Sequence, residues 1–84
     1  MGKHTKTWNA IHQSPTLRNI KWDDIERMLI HLEFKIEEGA GSAIVVRFEE
    51  VRYTFDRPHP RKEAYQYQVK DVRDLLREAG VKPP

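Results

Sequence analysis

The residues best equipped for chemistry lie in one short run, Asp56-Arg57-Pro58-His59-Pro60-Arg61-Lys62-Glu63, where a histidine stands between two prolines and among three basic side chains. Each proline fixes its own φ and biases the residue before it toward extended geometry, so the imidazole of His59 is carried on a stiff support. With an unperturbed pKa of about 6.5, histidine exchanges a proton near neutral pH. Cationic groups at Arg57, Arg61 and Lys62 can hold a phosphate and stabilise charge developing on it. Together they suit cleavage of RNA by its own 2′-hydroxyl, with His59 as general acid or base. The same run also reads as a rigid connector, and at this level both readings stay open.

Few other chemistries compete. The chain contains no cysteine, which removes disulfides, zinc-thiolate sites and cysteine nucleophiles together and suits a reducing compartment. Gly39-Ala40-Gly41-Ser42 is too short for a phosphate-cradling loop and lacks its lysine. His4, His12 and His31 show no ligand-like spacing and read as surface or packing residues. No cofactor and no metal is expected. The net charge is only +2, so attraction to nucleic acid must come from local clustering of Lys and Arg. Arg47 and Arg52 would extend such a cluster as phosphate contacts, unless Glu49, Glu50 and Asp56 neutralise them. Tyr65 and Tyr67 suit base stacking, or packing of a loop against a helix.

Three kinds of element must position these residues. Ile25, Met28, Leu29 and Leu32 recur at helical spacing within Ile20–Leu32, with Asp23 and Asp24 suited to the first turn. Alternation predicts strands over Phe34–Glu37, Ile44–Phe48 and Val51–Phe55, with Arg47, Arg52 and Thr54 facing solvent. The Glu49-Glu50 junction lacks Asn-Gly chemistry, which leaves a longer loop or a strained turn. Val69, Val72, Leu75, Leu76 and Ala79 mark a second main helix that stops at Gly80. The expectation is a small two-layer α+β domain over residues 20–84, in the order α-β-β-β-α, whose two main helices cover one face of an antiparallel meander. Residues 1–19 are expected to form a loosely attached arm with a short helix around Thr5 to Gln13. No apolar run reaches the roughly 20 residues that cross a bilayer, and Met1–Lys6 is not followed by a signal-peptide core. A soluble cytoplasmic protein is expected, without membrane partners; the oligomeric state is left open.

The run Ile20-Lys21-Trp22-Asp23-Asp24-Ile25-Glu26, the Gly41-Ser42 turn before a strand, Phe55-Asp56-Arg57-Pro58-His59-Pro60, and Val69-Lys70-Asp71-Val72-Arg73 with Ala79-Gly80-Val81-Lys82-Pro83 resemble the HicA toxins of bacterial and archaeal toxin–antitoxin modules. The resemblance spans about residues 16 to 83. It implies a fold similar to the double-stranded-RNA-binding domain, an endoribonuclease activity on mRNA that arrests translation, and neutralisation by a HicB-like antitoxin. It also implies a catalytic histidine just after the Gly-Ser turn, where this chain has Ala43. In relatives with a Phe-His-Arg-Pro-His-Pro loop, the first histidine corresponds to Asp56, leaving His59. A non-catalytic module that binds RNA or an antitoxin is the alternative reading.

Overall fold

Hydrophobic periodicity organises the second half of the chain. In the computed structural model, which describes residues 2–84, three helices and three strands follow in the order α1 (Lys3–Ile11), α2 (Trp22–His31), β1 (Lys35–Glu38), β2 (Ala43–Phe48), β3 (Val51–Asp56) and α3 (Gln66–Ala79). The strands form an antiparallel meander in the order β1-β2-β3. Ile44, Val46 and Phe55 point inward and are buried, while Arg47, Arg52, Thr54 and Asp56 point outward and are exposed. The inward side chains meet Trp22, Ile25, Met28 and Leu29 of α2 and Val69, Val72, Leu75 and Leu76 of α3 in one core. This is the expected α+β arrangement, with helices over one face and the other face bare. Among the described residues no helix is long and apolar enough to cross a membrane.

The boundaries differ from periodicity where hydrogen bonding intervenes. Helix α2 starts at Trp22 because the two residues before it pair with the Pro-rich loop: Ala64 N–H donates to the Ile20 carbonyl at 2.8 Å and Trp22 N–H to the Lys62 carbonyl at 3.0 Å. A bridge between Lys21 and Glu63 lies between them. The helix ends with Glu33 at φ 73°, Glu33 N–H donating to Ile30 and Phe34 N–H to Leu29, both at 2.9 Å. That is the double closure that normally favours glycine. Helix α3 begins at Gln66, earlier than the apolar spacing indicates, because the Gln68 side chain accepts from Tyr65 N–H at 2.9 Å and donates to the Asp56 carbonyl at 2.6 Å. One buried glutamine thus caps a helix and ties it to the end of β3.

Two expectations are corrected or decided. The short helix expected around Thr5 to Gln13 is present as Lys3–Ile11, but over the described part of residues 1–19 the chain is not a loose arm, because this helix packs against both α2 and α3. Ile11 is fully buried, Trp8, Ala10 and Leu17 pack against the core, and His4 stacks on His31 with centroids 4.5 Å apart. The segment looks detachable from its sequence because α1 buries only Thr7 and Ile11, too few positions to reveal a period. At the β2–β3 junction the loop has two residues, since Phe48 pairs with Val51, and Glu49 takes φ 53°. The strained turn is therefore the outcome of the two alternatives.

Candidate nucleic-acid interface

The loop after β3 is held at both ends before any side chain is considered. Arg57 N–H donates to the Ser42 carbonyl at 3.0 Å, and residues 62–64 pair with residues 20–22 as described. Its prolines then carry His59 into solvent; the imidazole is exposed and makes no hydrogen bond or ion pair among the described residues.

Arg57, expected to touch phosphate, is committed elsewhere. Its guanidinium donates to Glu26 at 2.7 and 3.1 Å and to Glu38 twice at 2.7 Å, and Glu26 also accepts from the Trp22 indole. These bonds stabilise the cation, raising its pKa well above the ordinary arginine value, and hold the Glu38 carboxyl below the usual carboxylate range. A planar fork filled by two carboxylates has little left for a ligand. It fastens the loop to α2 and β1.

The remaining basic residues separate into two regions. Lys21, Arg27, Arg61 and Lys62 line a cleft of about 470 Å³ between the start of α2 and the loop, together with Arg57, Pro58 and Pro60. Lys3 enters it from α1 and pairs with Asp24 at 3.3 Å; Asp23 is the second acid on its wall. Within the cleft Arg61 is oriented by the Glu63 carbonyl at 3.0 Å and the Arg18 carbonyl at 3.2 Å. Its guanidinium lies 4.7 Å from the centre of the Tyr65 ring. Arg47 and Arg52 are elsewhere, directly opposite each other on the bare face of the sheet, with Lys35 opposite Arg47. Arg47 pairs with Glu37 at 3.5 Å; among the described residues neither Glu49, Glu50 nor Asp56 reaches either arginine.

Ala43 also belongs to the bare face, where its backbone partner is Asp56. The two positions at which the resemblance anticipates histidines are therefore cross-strand neighbours, occupied by a methyl group and a carboxylate. They stand four residues along their strands from Arg47 and Arg52, about 13 Å at the usual rise. A single track from Arg47 and Arg52 to Lys62 is not what the fold makes. Lys21 and Arg27 were missed from sequence, since only the pairing of residues 20–22 with 62–64 brings them to the loop. Among the described residues no group of three or more His, Asp and Glu could hold a metal ion.

The family model described as the HicA toxin of bacterial toxin–antitoxin systems matches residues 22–81, from the first residue of α2 to just past α3. Helix α1 lies outside the matched segment. No curated protein and no solved structure matches the chain.

Proposed function

The chain belongs to the HicA toxin family of bacterial toxin–antitoxin systems, and we propose that it acts there as an mRNA endoribonuclease whose phosphate-binding element is the cleft beside the Pro-His-Pro loop. Family membership implies a HicB antitoxin as its partner in the system. The observation that carries the reading is the convergence of Lys21, Arg27, Arg61 and Lys62 on one concave surface whose wall includes Pro58 and Pro60, the two residues that flank His59. A phosphodiester held there would meet fixed positive charge at the moment its phosphorus gains negative charge. His59, as general base, would take the proton from a 2′-hydroxyl; the 2′-oxygen would attack the adjacent phosphorus, the bond to the 5′-oxygen would break, and that oxygen would take its proton from water. The products are a 2′,3′-cyclic phosphate and a 5′-hydroxyl. Arg57 serves as a positioning residue, and Arg47 and Arg52 supply secondary phosphate contacts from the sheet face.

The pairing of Ala43 with Asp56 favours a second reading, an RNA- or antitoxin-binding module that does not cut. There a carboxylate repels phosphate where an imidazole would move a proton. Incubating the purified protein with a defined mRNA separates the two. The first reading expects discrete products and translation arrest, with His59→Ala slower by about 10²- to 10⁴-fold, the usual contribution of a general acid or base. Undiminished cleavage by His59→Ala removes His59 from the mechanism. RNA binding without products, with cleavage gained in Ala43→His, establishes the second reading.

A further inference from the structure

We infer that Arg61, Tyr65 and Tyr67 form a stacking platform for unpaired RNA bases, so that this protein prefers single-stranded to duplex RNA. The inference rests on the RNA-binding reading above and adds a base subsite to its phosphate cleft. Tyr65 and Tyr67 are 39% and 56% exposed, an arrangement that wastes two large rings unless something covers them. Their centroids lie 5.8 Å apart with the planes tilted by 32°, and the Arg61 guanidinium covers Tyr65 at 4.7 Å. Cation and rings thus make a continuous layered surface, and Arg61 belongs both to it and to the cleft wall.

Two of the three layers are tied down by hydrogen bonds. Arg61 is fixed by the Glu63 and Arg18 carbonyls, and Tyr65 by the bond from its N–H to Gln68, itself anchored on Asp56. Neither phenol donates to another group among the described residues, which leaves both free for base edges or a 2′-hydroxyl. The separation of the rings is too small to admit a base between them, so a base would lie on the outer face of Tyr67 while its phosphate reaches toward Arg61 and Lys62. Aromatic faces bind bases with little regard to sequence, but only when the base face is bare. A duplex hides those faces, and its phosphates would meet the cleft alone.

The experiment measures fluorescence anisotropy of a 2′-O-methyl RNA, which cannot be cut by its own 2′-hydroxyl, as a single strand, as a hairpin duplex and as a strand carrying abasic sites. Wild type is expected to bind the plain single strand best. Tyr67→Ala weakens that binding about tenfold, the scale of one stacked base, without changing its salt dependence; Tyr67→Phe stays within about twofold of wild type. On the abasic strand Tyr67→Ala and wild type bind alike. Equal wild-type affinity for duplex and single strand overturns the inference, as does full single-strand affinity in Tyr67→Ala. A Tyr67→Ala variant that loses only antitoxin binding also overturns it, since the surface is then a protein interface. Failure of wild type to bind any RNA at low salt overturns the RNA-binding reading itself.

Discussion

The cleft beside the loop and the bare face of the sheet both gather cations, yet the fold holds them by different means. In the cleft, Arg61 is bonded to two carbonyls and the Lys62 backbone is pinned to Trp22. On the sheet, Lys35, Arg47 and Arg52 stand in one cross-strand row, so like charges face each other and, among the described residues, only Glu37 offers a pair. Directly opposed like charges disfavour a strand pair. Among the described residues the cleft orients one cation, Arg61, by hydrogen bonds, whereas the sheet offers Arg47 a single ion pair at 3.5 Å and Arg52 none. The contrast indicates where a phosphate would find a cation already positioned, with others around it.

The largest expected effect tests that difference on RNA. Each phosphate contact to a single strand contributes about 0.7 to the slope of log affinity against log salt. Removing Lys21, Arg27 and Lys62 together should lower the slope by about 2, equivalent to roughly 15- to 20-fold less affinity loss between 50 and 200 mM salt. Arg47→Ala with Arg52→Ala should lower it by well under half as much, measured in the same titration. Equal slopes in the two variants would erase the distinction between the regions.

Next in size is the tether that keeps the cleft in place. Arg57→Ala should destabilise the fold by about 1–2 kcal/mol in a urea melt, a charged hydrogen-bond value reduced for partial exposure to solvent. The pH dependence follows from Glu38, whose carboxyl is held below the usual range chiefly by its hydrogen bonds from Arg57. A carboxyl depressed in the folded state adds stability above its unfolded value, near 4.3, and loses it as pH falls through the folded value. The gap between wild type and Arg57→Ala should therefore be full at neutral pH and narrow below about pH 4. A gap that stays constant to pH 3 would point to lost packing instead of lost pairing.

How much of this was legible depends on chain separation. The period of Ile25, Met28 and Leu29, the alternation about Ile44 and Phe55, and the Val69–Ala79 stripe are local signals, and each became its element. His59, Arg61 and Lys62 also lie close in sequence and share one loop. The partners of Arg57 do not: Glu26 is 31 residues away and Glu38 is 19. Two acids so distant give no spacing to read, and the arginine looked free. The docking of helix α1 escaped for a different reason, since it depends on Ile11 and a few half-buried neighbours that no periodicity distinguishes.

A smaller effect comes from the arginine row. Arg52→Thr removes the charge opposite Arg47 and supplies a β-branched residue to an exposed strand position. It should raise stability by about 0.2–1 kcal/mol at low salt, with the gain fading as salt screens the pair. A loss of stability would mean that Arg52 has favourable contacts outweighing the repulsion.

The smallest effect lies in the turn that joins the two arginine-bearing strands. Glu49 at φ 53° occupies a conformation that crowds any Cβ, while glycine meets no such penalty and costs more entropy on folding. The balance favours Glu49→Gly by about 0.5 kcal/mol in thermal or urea unfolding. Glu49→Ala is the necessary companion, because it removes the carboxylate and keeps the Cβ. If alanine stabilises as much as glycine, the cause is relief of repulsion with Glu50 and not backbone geometry. If only glycine does, the sheet face carries strain in its turn as well as in its charges, and the contrast with the hydrogen-bonded cleft extends from side chains to the backbone.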